Sequence, residues 1–219
     1  QMYPSKKVKT EIWLLNGWQT YNSWSKKIGI GSSTYYRPTE NLQLVMNYYA
    51  GLDTRGSNRV RFHHDNSIVY RYYKNKQSTA LSQAAFSMNN HYGFEHGDGV
   101  RARSQYMAGT SFANRLWFYK NIIGLTLRAD VVTNPGLYLA FNPSPVGPNA
   151  YTDAITNTKN QQLIVAQGTA TLDIMPIDFV TFRLEYVYRL ANVPYFTGRG
   201  GTTSPDGWAD TPINNWTPD

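Results

Sequence analysis

Large apolar residues occupy every second position through much of this chain. The apolar positions within FVTFRLEYVYRL, residues 179–190, are Val180, Phe182, Leu184, Tyr186, Tyr188 and Leu190. The positions between them are Thr181, Arg183, Glu185, Val187 and Arg189. Because successive side chains of a strand point to opposite faces, this spacing predicts a β-strand with one apolar face and one charged face.

The same alternation recurs along the chain and predicts nine strands and no helix. The predicted strands cover residues 7–21, 27–37, 42–51, 58–74, 79–95, 100–116, 123–131, 164–174 and 179–190. A succession of strands without helices predicts an all-β protein, with one domain over residues 1–219.

The segments between the predicted strands alternate between a short and a long kind. Short turns are predicted at residues 37–41, 75–77, 114–115 and 175–178. Longer loops are predicted at residues 22–26, 54–58, 96–99 and 134–159, and after residue 197. An up-and-down sheet has this property when one rim carries tight turns and the other carries loops. We therefore predict a transmembrane antiparallel up-and-down β-barrel with short periplasmic turns and longer extracellular loops.

The ninth predicted strand ends on the loop side of this barrel. Single-chain bacterial barrels have an even number of strands, so we expect at least one returning strand beyond the sequence. The start at Gln1 without a signal peptide suggests that further sequence precedes it. The expectation is a partial barrel with at least nine strands in this chain.

Charge separates the two faces of the predicted barrel. The charged face carries Lys9 and Glu11, and we predict that the pore is lined by Arg59, Arg61, Asp65, Arg71, Glu95, Arg101, Arg103, Arg128, Asp130, Asp173, Arg183, Glu185 and Arg189. The predicted lipid-facing residues are Leu44, Met46, Leu125, Leu127, Ile164, Leu172, Phe182 and Leu184. Aromatic residues are predicted near one rim (Tyr36, Tyr70, Tyr72, Phe112, Trp117) and near the other (Trp18, Tyr48, Tyr92, Phe94, Tyr188). Aromatic girdles around an apolar band are typical of transmembrane barrels.

A soluble β-sandwich that acts as a binding module is an open alternative, because its strands alternate in the same way. It explains neither the length of the predicted strands nor the alternation of short turns and long loops. Charged residues make up 16% of the chain, against about 25% in an ordinary soluble protein. The mean hydropathy of −0.49 does not argue against a membrane barrel, because each of its strands is only half apolar.

Candidate sites for other chemistry are weak. The net charge of +7 is spread over strand-like segments without a nucleic-acid-binding motif, so no nucleic acid is expected. His64 and Asn66 lie on the apolar face, where a lipid hydrolase would also need a serine nucleophile beside the histidine. His63 and Asp65 lie on the other face from His64, which does not suit a metal site. The chain has no cysteine, and we predict no catalytic residue, metal or cofactor.

Three stretches resemble the outer-membrane β-barrel porins of the OmpL-like type. They are DFVTFRLEYVYRLANVPYFTGRGG, NYYAGLDTRGSNRVRFHHDNSIVYRY and WQTYNSW. The resemblance covers most of the chain and implies a barrel in the outer membrane of a Gram-negative bacterium that conducts small solutes. The implied partners are outer-membrane lipid and small hydrophilic solutes or anions, together with another copy of the chain or other outer-membrane proteins. The family has no catalytic residues to carry over.

Two function classes stay open on the sequence. One is a diffusion pore, and the other is a plugged barrel that anchors a larger surface assembly. Prolines within residues 134–159 preclude regular strand pairing there, so this loop either folds into the mouth as a constriction or stays a surface loop. Arg59, Arg61, Arg101 and Arg103 have no acid two residues away, which predicts a lumen that mildly favours anions.

Overall fold

The computed structural model describes residues 1–18, 27–53, 56–139 and 164–191, and the structural statements below concern those residues. Ten strands account for most of them. They are β1 (Met2–Ser5), β2 (Val8–Leu15), β3 (Gly29–Thr39), β4 (Leu42–Gly51), β5 (Val60–Lys74), β6 (Leu81–His96), β7 (Tyr106–Phe118), β8 (Ile123–Thr133), β9 (Ile164–Ile177) and β10 (Val180–Ala191). One turn of 3₁₀-helix, Pro135–Leu137, follows β8. Within the described ranges, no helix is long and apolar enough to cross a membrane.

The ten strands form one antiparallel sheet in which every strand pairs with its neighbours in sequence. This order confirms the predicted all-β, up-and-down architecture of a barrel wall. The sheet is not closed among the described residues, where β1 and β10 are its edges. The short turns lie at one end of the sheet and the longer connections at the other, as the alternation of segments predicts.

Three predicted boundaries are wrong. The expected turn at Asn114-Arg115 lies inside β7, and the chain reverses at Tyr119, Lys120 and Asn121, which all have positive φ. The strand expected from residue 100 begins only at 106, because residues 101–105 form a hydrogen-bonded turn. The strand expected over 7–21 ends at residue 15, before Gly17 adopts a φ of 115°.

The sequence pattern missed β1, a four-residue edge strand that contains a proline. Such a strand is too short to show a period of two. Residues 19–26, 54–55, 140–163 and 192–219 lie outside the described residues. They include the predicted loop 22–26, the predicted tail from residue 197, and parts of the predicted strand 7–21 and of the predicted loops 54–58 and 134–159.

The register of the sheet separates an apolar face from a polar face. On the apolar face Leu44 pairs with Ile68, which pairs with Met88. On the polar face Asn47 pairs with Asp65, which pairs with His91. Each face is therefore continuous across neighbouring strands, as the alternation predicts.

Burial on the two faces is the reverse of that in a soluble protein. The buried polar side chains include Ser33, Glu95, Thr169, Thr171 and Asp173, all on the polar face. On the apolar face Leu127, Phe182 and Leu184 are 56%, 64% and 72% exposed. A soluble β-sandwich buries its apolar face against a second sheet, and the described strands form only one sheet. The sandwich alternative is therefore wrong.

Candidate functional site

Arg61 is the centre of an ionic cluster on the polar face, near the long-loop end of β5. Its Nη2 donates to Glu95 Oε1 at 2.6 Å, and its Nε lies 3.3 Å from Asp53 Oδ2. Its Nη1 donates to the carbonyl oxygen of Tyr138 at 3.2 Å. Arg59 Nη1 donates to the other carboxylate oxygen of Glu95 at 3.2 Å. No acid lies two residues from Arg59 or Arg61 in the sequence, but Glu95 and Asp53 pair with them in the fold. The expectation that these two arginines supply unpaired positive charge is therefore wrong.

Tyr138 crosses the polar face to reach this cluster. It follows β8, which is separated from β5 by β6 and β7, and its hydroxyl lies 3.0 Å from His63 Nδ1 and from the carbonyl oxygen of Phe62. The Arg61 guanidinium stacks 4.5 Å from its ring and 5.1 Å from that of Trp18. Burial raises the pKa of Tyr138 to about 12, so the hydroxyl stays protonated and can donate. Residues 134–139 therefore narrow the long-loop mouth of the polar face.

Two local features allow this crossing. The Asn134 amide accepts from the backbone N–H of Leu139 at 2.8 Å and donates to its carbonyl oxygen at 3.0 Å, which closes a compact loop. Gly93 lies beneath the ring of Tyr138, where a Cβ would collide with the tyrosine hydroxyl and with His63 Nδ1. The close approach of Tyr138 to the sheet therefore requires glycine at position 93.

A row of polar side chains lies next to the cluster, towards the short-turn end. Ser33 Oγ donates to Asn47 Oδ1 at 2.6 Å, and Asn89 Nδ2 donates to Asp65 Oδ1 at 2.7 Å. His91 Nε2 lies 3.6 Å from the same Asp65 oxygen. These groups offer both hydrogen-bond donors and acceptors to the space above the sheet.

A second ionic cluster lies near the short-turn ends of β7, β9 and β10. Asp173 is fully buried there between Arg115 Nη2 at 2.8 Å and Arg183 Nε at 2.7 Å. Thr171 Oγ1 donates to Glu185 Oε2 at 2.9 Å. A buried carboxylate needs such partners, because an unpaired charge out of water is strongly unfavourable.

Arg128 and Asp130 form an exposed ion pair between the two clusters. The Nε of Arg128 lies 2.9 Å from Asp130 Oδ2, which also accepts from Gln167 Nε2 at 3.2 Å. Arg189 Nε donates to Gln167 Oε1 at 2.8 Å. The chain of contacts places β8, β9 and β10 side chains on one face.

The structure brings most of the predicted pore-lining residues onto the polar face. They are Arg59, Arg61, Asp65, Arg71, Glu95, Arg128, Asp130, Asp173, Arg183, Glu185 and Arg189. Arg71 lies at the short-turn end, where its Nη2 pairs with Glu40 at 3.3 Å. The prediction that Arg101 and Arg103 lie on a strand is wrong, because both are exposed in the loop before β7. That the others line a pore stays a prediction.

All eight predicted lipid-facing residues share the apolar face. The register aligns Leu125 with Leu172 and Leu172 with Leu184, and it places Leu44, Met46, Leu127, Ile164 and Phe182 on the same side. Their contact with lipid stays a prediction. His64 and Asn66 also lie on this face, as predicted, and their side-chain nitrogens are 3.0 Å apart.

Three of the predicted rim aromatics are misplaced. Trp18 and Trp117 belong to the polar face, where Arg61 and Arg115 stack on their rings. Phe112 lies on the apolar face but in the middle of β7 rather than at a rim. Alternation predicts the face of a residue only when the strand boundary is correct. Trp18 lies near the wrong end of the strand predicted over 7–21, and Trp117 lies near the turn wrongly predicted at 114–115.

Sequence reasoning missed Asp53, Arg115 and Tyr138. Asp53 lies an even number of residues beyond Tyr49, and Arg115 an even number beyond Gly109 along β7, so both fall on the polar face. With the correct strand ends, the alternation would have predicted the face of both residues. No periodic signal marks Tyr138, because it lies in a loop. Among the described residues, no group of three or more His, Asp or Glu side chains could hold a metal ion.

Comparison with known proteins assigns the chain to a family. The family model described as "Putative beta-barrel porin-2, OmpL-like" matches residues 1–211. No curated protein and no solved structure matches the chain significantly. The match covers nearly the whole sequence, and its name agrees with the antiparallel wall and its two faces. The chain therefore belongs to the OmpL-like β-barrel porin-2 family.

Proposed function

We propose that the chain forms a channel in the outer membrane of a Gram-negative bacterium and lets small hydrophilic solutes diffuse through it. The observation that carries this proposal is the inverted burial of the sheet. Asp173 and Glu95 are buried on the polar face, whereas Phe182 and Leu184 are exposed on the other. Water can solvate a charged lumen, and hydrocarbon can cover an exposed apolar wall. The proposal assigns no chemical reaction to the protein.

Residues 134–139 narrow the long-loop end of the proposed channel. We therefore expect the channel to select among solutes at this end instead of having a uniform width. Tyr138 and Trp18 lie over the polar face at the end that carries the long loops. These loops are extracellular in the proposed orientation, so a solute meets this narrow point before it reaches the Asp173 cluster. Membrane lipid is the expected partner of the apolar face, and solutes are the expected partners of the polar face.

A mild preference for anions is part of the proposal, but its source differs from the sequence-based expectation. Arg59 and Arg61 are compensated by Glu95 and Asp53. Arg101 and Arg103 form no ion pair with any described residue, and both are exposed at the long-loop mouth. A field of one sign at a mouth enriches the opposite ion.

The test is conductance of the purified chain in a planar lipid bilayer, with swelling of vesicles loaded with a neutral sugar as the second measurement. We expect stepwise currents and swelling, both of which should disappear after heat denaturation. Circular dichroism checks that the inserted protein is folded. Folded, inserted protein that gives neither current nor swelling would contradict a channel and support a plugged barrel with a structural role.

A further inference from the structure

A cavity of about 360 Å³ opens on the polar face between β2 and β7. Aromatic and apolar side chains line one part of it, and Asn47, Asp65 and His91 line the other. We propose that this cavity is a binding site for a neutral sugar. The inference rests on the proposed channel, because it names the class of solute that the polar face would recognise.

Trp13 is held in place on the wall of this cavity. Its Nε1 donates to Glu11 Oε2 at 3.1 Å, and the other oxygen of Glu11 pairs with Lys9 Nζ at 2.5 Å. A Cβ at the neighbouring Gly31 would lie 3.1 Å from the indole ring, so the ring lies close against the strand. The side chain is nevertheless 39% exposed. A flat aromatic surface is thus presented to solutes in a fixed orientation.

Trp18 and the largely buried Tyr49 continue the aromatic wall. The register aligns Trp13 with Gly31, Gly31 with Tyr49, and Tyr49 with His63. The Tyr49 hydroxyl is bound by Asp53, and the Trp18 ring lies 4.6 Å from that of His63. These contacts fix both rings before any ligand arrives, which lowers the entropic cost of binding.

The polar groups lie one row below the aromatic wall. Asn47, Asp65 and His91 are consecutive partners in the register, two residues along each strand from the aromatic row. Two residues of a strand span about 7 Å, a distance that one sugar ring bridges. A ring that rests its face on the wall therefore presents its hydroxyl groups to an amide, a carboxylate and an imidazole.

The charge of the lining selects among solutes. Asp65 is the one carboxylate among the described lining residues, which include no lysine or arginine. Arg61, the nearest guanidinium of the cluster, is occupied by Glu95 and Asp53. An anionic solute would meet Asp65 without a cation to compensate it. A neutral sugar combines an apolar C–H face with hydroxyl edges, and that combination fits an aromatic wall beside hydrogen-bonding groups.

The test is block of the ion current by maltose, measured from the noise of single channels in a planar bilayer. A polyethylene glycol of similar size is the control solute. We expect maltose to block in a concentration-dependent way and the glycol not to do so. Trp13→Ala should raise the half-blocking concentration about tenfold, and Trp13→Phe should raise it less. Trp117→Ala is the matched control, because Trp117 lies on the same face outside the cavity.

The sugar site and the channel can fail separately. An open channel with equal block by maltose and glycol, or with a half-blocking concentration that Trp13→Ala leaves unchanged, would overturn the sugar site alone. If no current is seen, tryptophan fluorescence of the folded protein in detergent is titrated with maltose. A saturable change that Trp13→Ala removes and Trp117→Ala retains would support the site, and no change would overturn it.

Discussion

Gly93 shows how one backbone position can control access to the polar face. The ring of Tyr138 lies over it, and the tyrosine hydroxyl reaches both His63 and the carbonyl oxygen of Phe62. Any side chain at 93 competes with Tyr138 for the same space. The width of the mouth therefore depends on the absence of a single methyl group.

Gly93→Ala should displace Tyr138 and widen the channel. Overpacking a tight site costs about 1–3 kcal/mol, so the free energy of unfolding should fall by about that amount while single-channel conductance rises. Urea titration and bilayer recording measure the two quantities. Gly168→Ala is the control, because no atom beyond the glycine and its two chain neighbours lies within 4 Å of a Cβ there. Unchanged conductance in Gly93→Ala would show that Tyr138 does not limit the current.

Leu127 and Arg128 are consecutive residues with opposite environments. Leu127 is 56% exposed on the apolar face, whereas Arg128 pairs with Asp130 on the polar face. Arginine at the middle of a lipid-facing wall costs about 2–4 kcal/mol. Leu127→Arg should therefore reduce the yield of folded, heat-resistant protein in the membrane.

Arg128→Leu is the matched substitution and should assemble normally, because Gln167 still donates to Asp130. The readout for both variants is the folded fraction by gel mobility without heating. Equal folding of the two variants would contradict the assignment of the apolar face to lipid.

At the scale of elements, described residues of three connections at the long-loop end meet around Asp98. Its carboxylate accepts from the Ser57 hydroxyl and from the backbone N–H of Asn58, and Lys27 Nζ donates to the Asn58 side chain at 2.7 Å. The connections from β2 to β3, from β4 to β5 and from β6 to β7 therefore meet at one point. Gly97 and Gly99, with φ of 113° and 85°, give the turn around Asp98 its shape.

Acid should release this junction. Hydrogen bonds from Ser57 and Asn58 hold the pKa of Asp98 below its ordinary value of 3.8. A lowered pKa means that the contribution of the contact is complete above pH 3.8 and is lost as the pH falls through the lowered value. The amide NMR signal of Asn58 should titrate below pH 3.8, and it should not titrate in Asp98→Asn. A midpoint at or above 3.8 would rule out the contact in solution.

For the whole molecule, the balance of charge on the polar face depends on pairing rather than on the number of basic residues. The Arg61 and Asp173 clusters each hold acids between arginines. Their fields partly cancel, so exposed groups at the mouth dominate the ion preference. Substitution of a paired or of an unpaired arginine should therefore shift the ion preference in the same direction, but for different reasons.

Arg101→Ser combined with Arg103→Ser should reduce the anion preference, because it removes exposed positive charge at the mouth. Arg61→Gln should also shift the ion preference towards cations, because Glu95 and Asp53 lose their main partner. Reversal potentials under a salt gradient measure both shifts. The shifts should fade near 1 M salt, where the screening length is about 3 Å. A strong cation preference that the double substitution leaves unchanged would contradict the proposal that Arg101 and Arg103 set the ion preference.

The strands and their faces could be predicted because they depend on local geometry. Successive side chains of a strand alternate between faces whatever the tertiary structure is. The pattern therefore predicts correctly that Leu125, Leu127, Leu172 and Leu184 share one face. Boundaries were less predictable. Composition predicts a turn at Asn114 and Arg115, but pairing with both β6 and β8 keeps these residues in β7.

The sequence by itself determined the all-β class, the two faces and the alternation of short turns with long loops, because each follows from a period of two between turn residues. Only the tertiary structure decided which charges meet. Arg61 and Glu95 are 34 residues apart, and Tyr138 is 75 residues from His63. Contacts of this kind depend on strand register and on how a loop crosses the sheet. Neither leaves a periodic trace in the sequence, so the contacts of Tyr138 and the cavity proposed to bind a sugar emerge only when the strands are side by side.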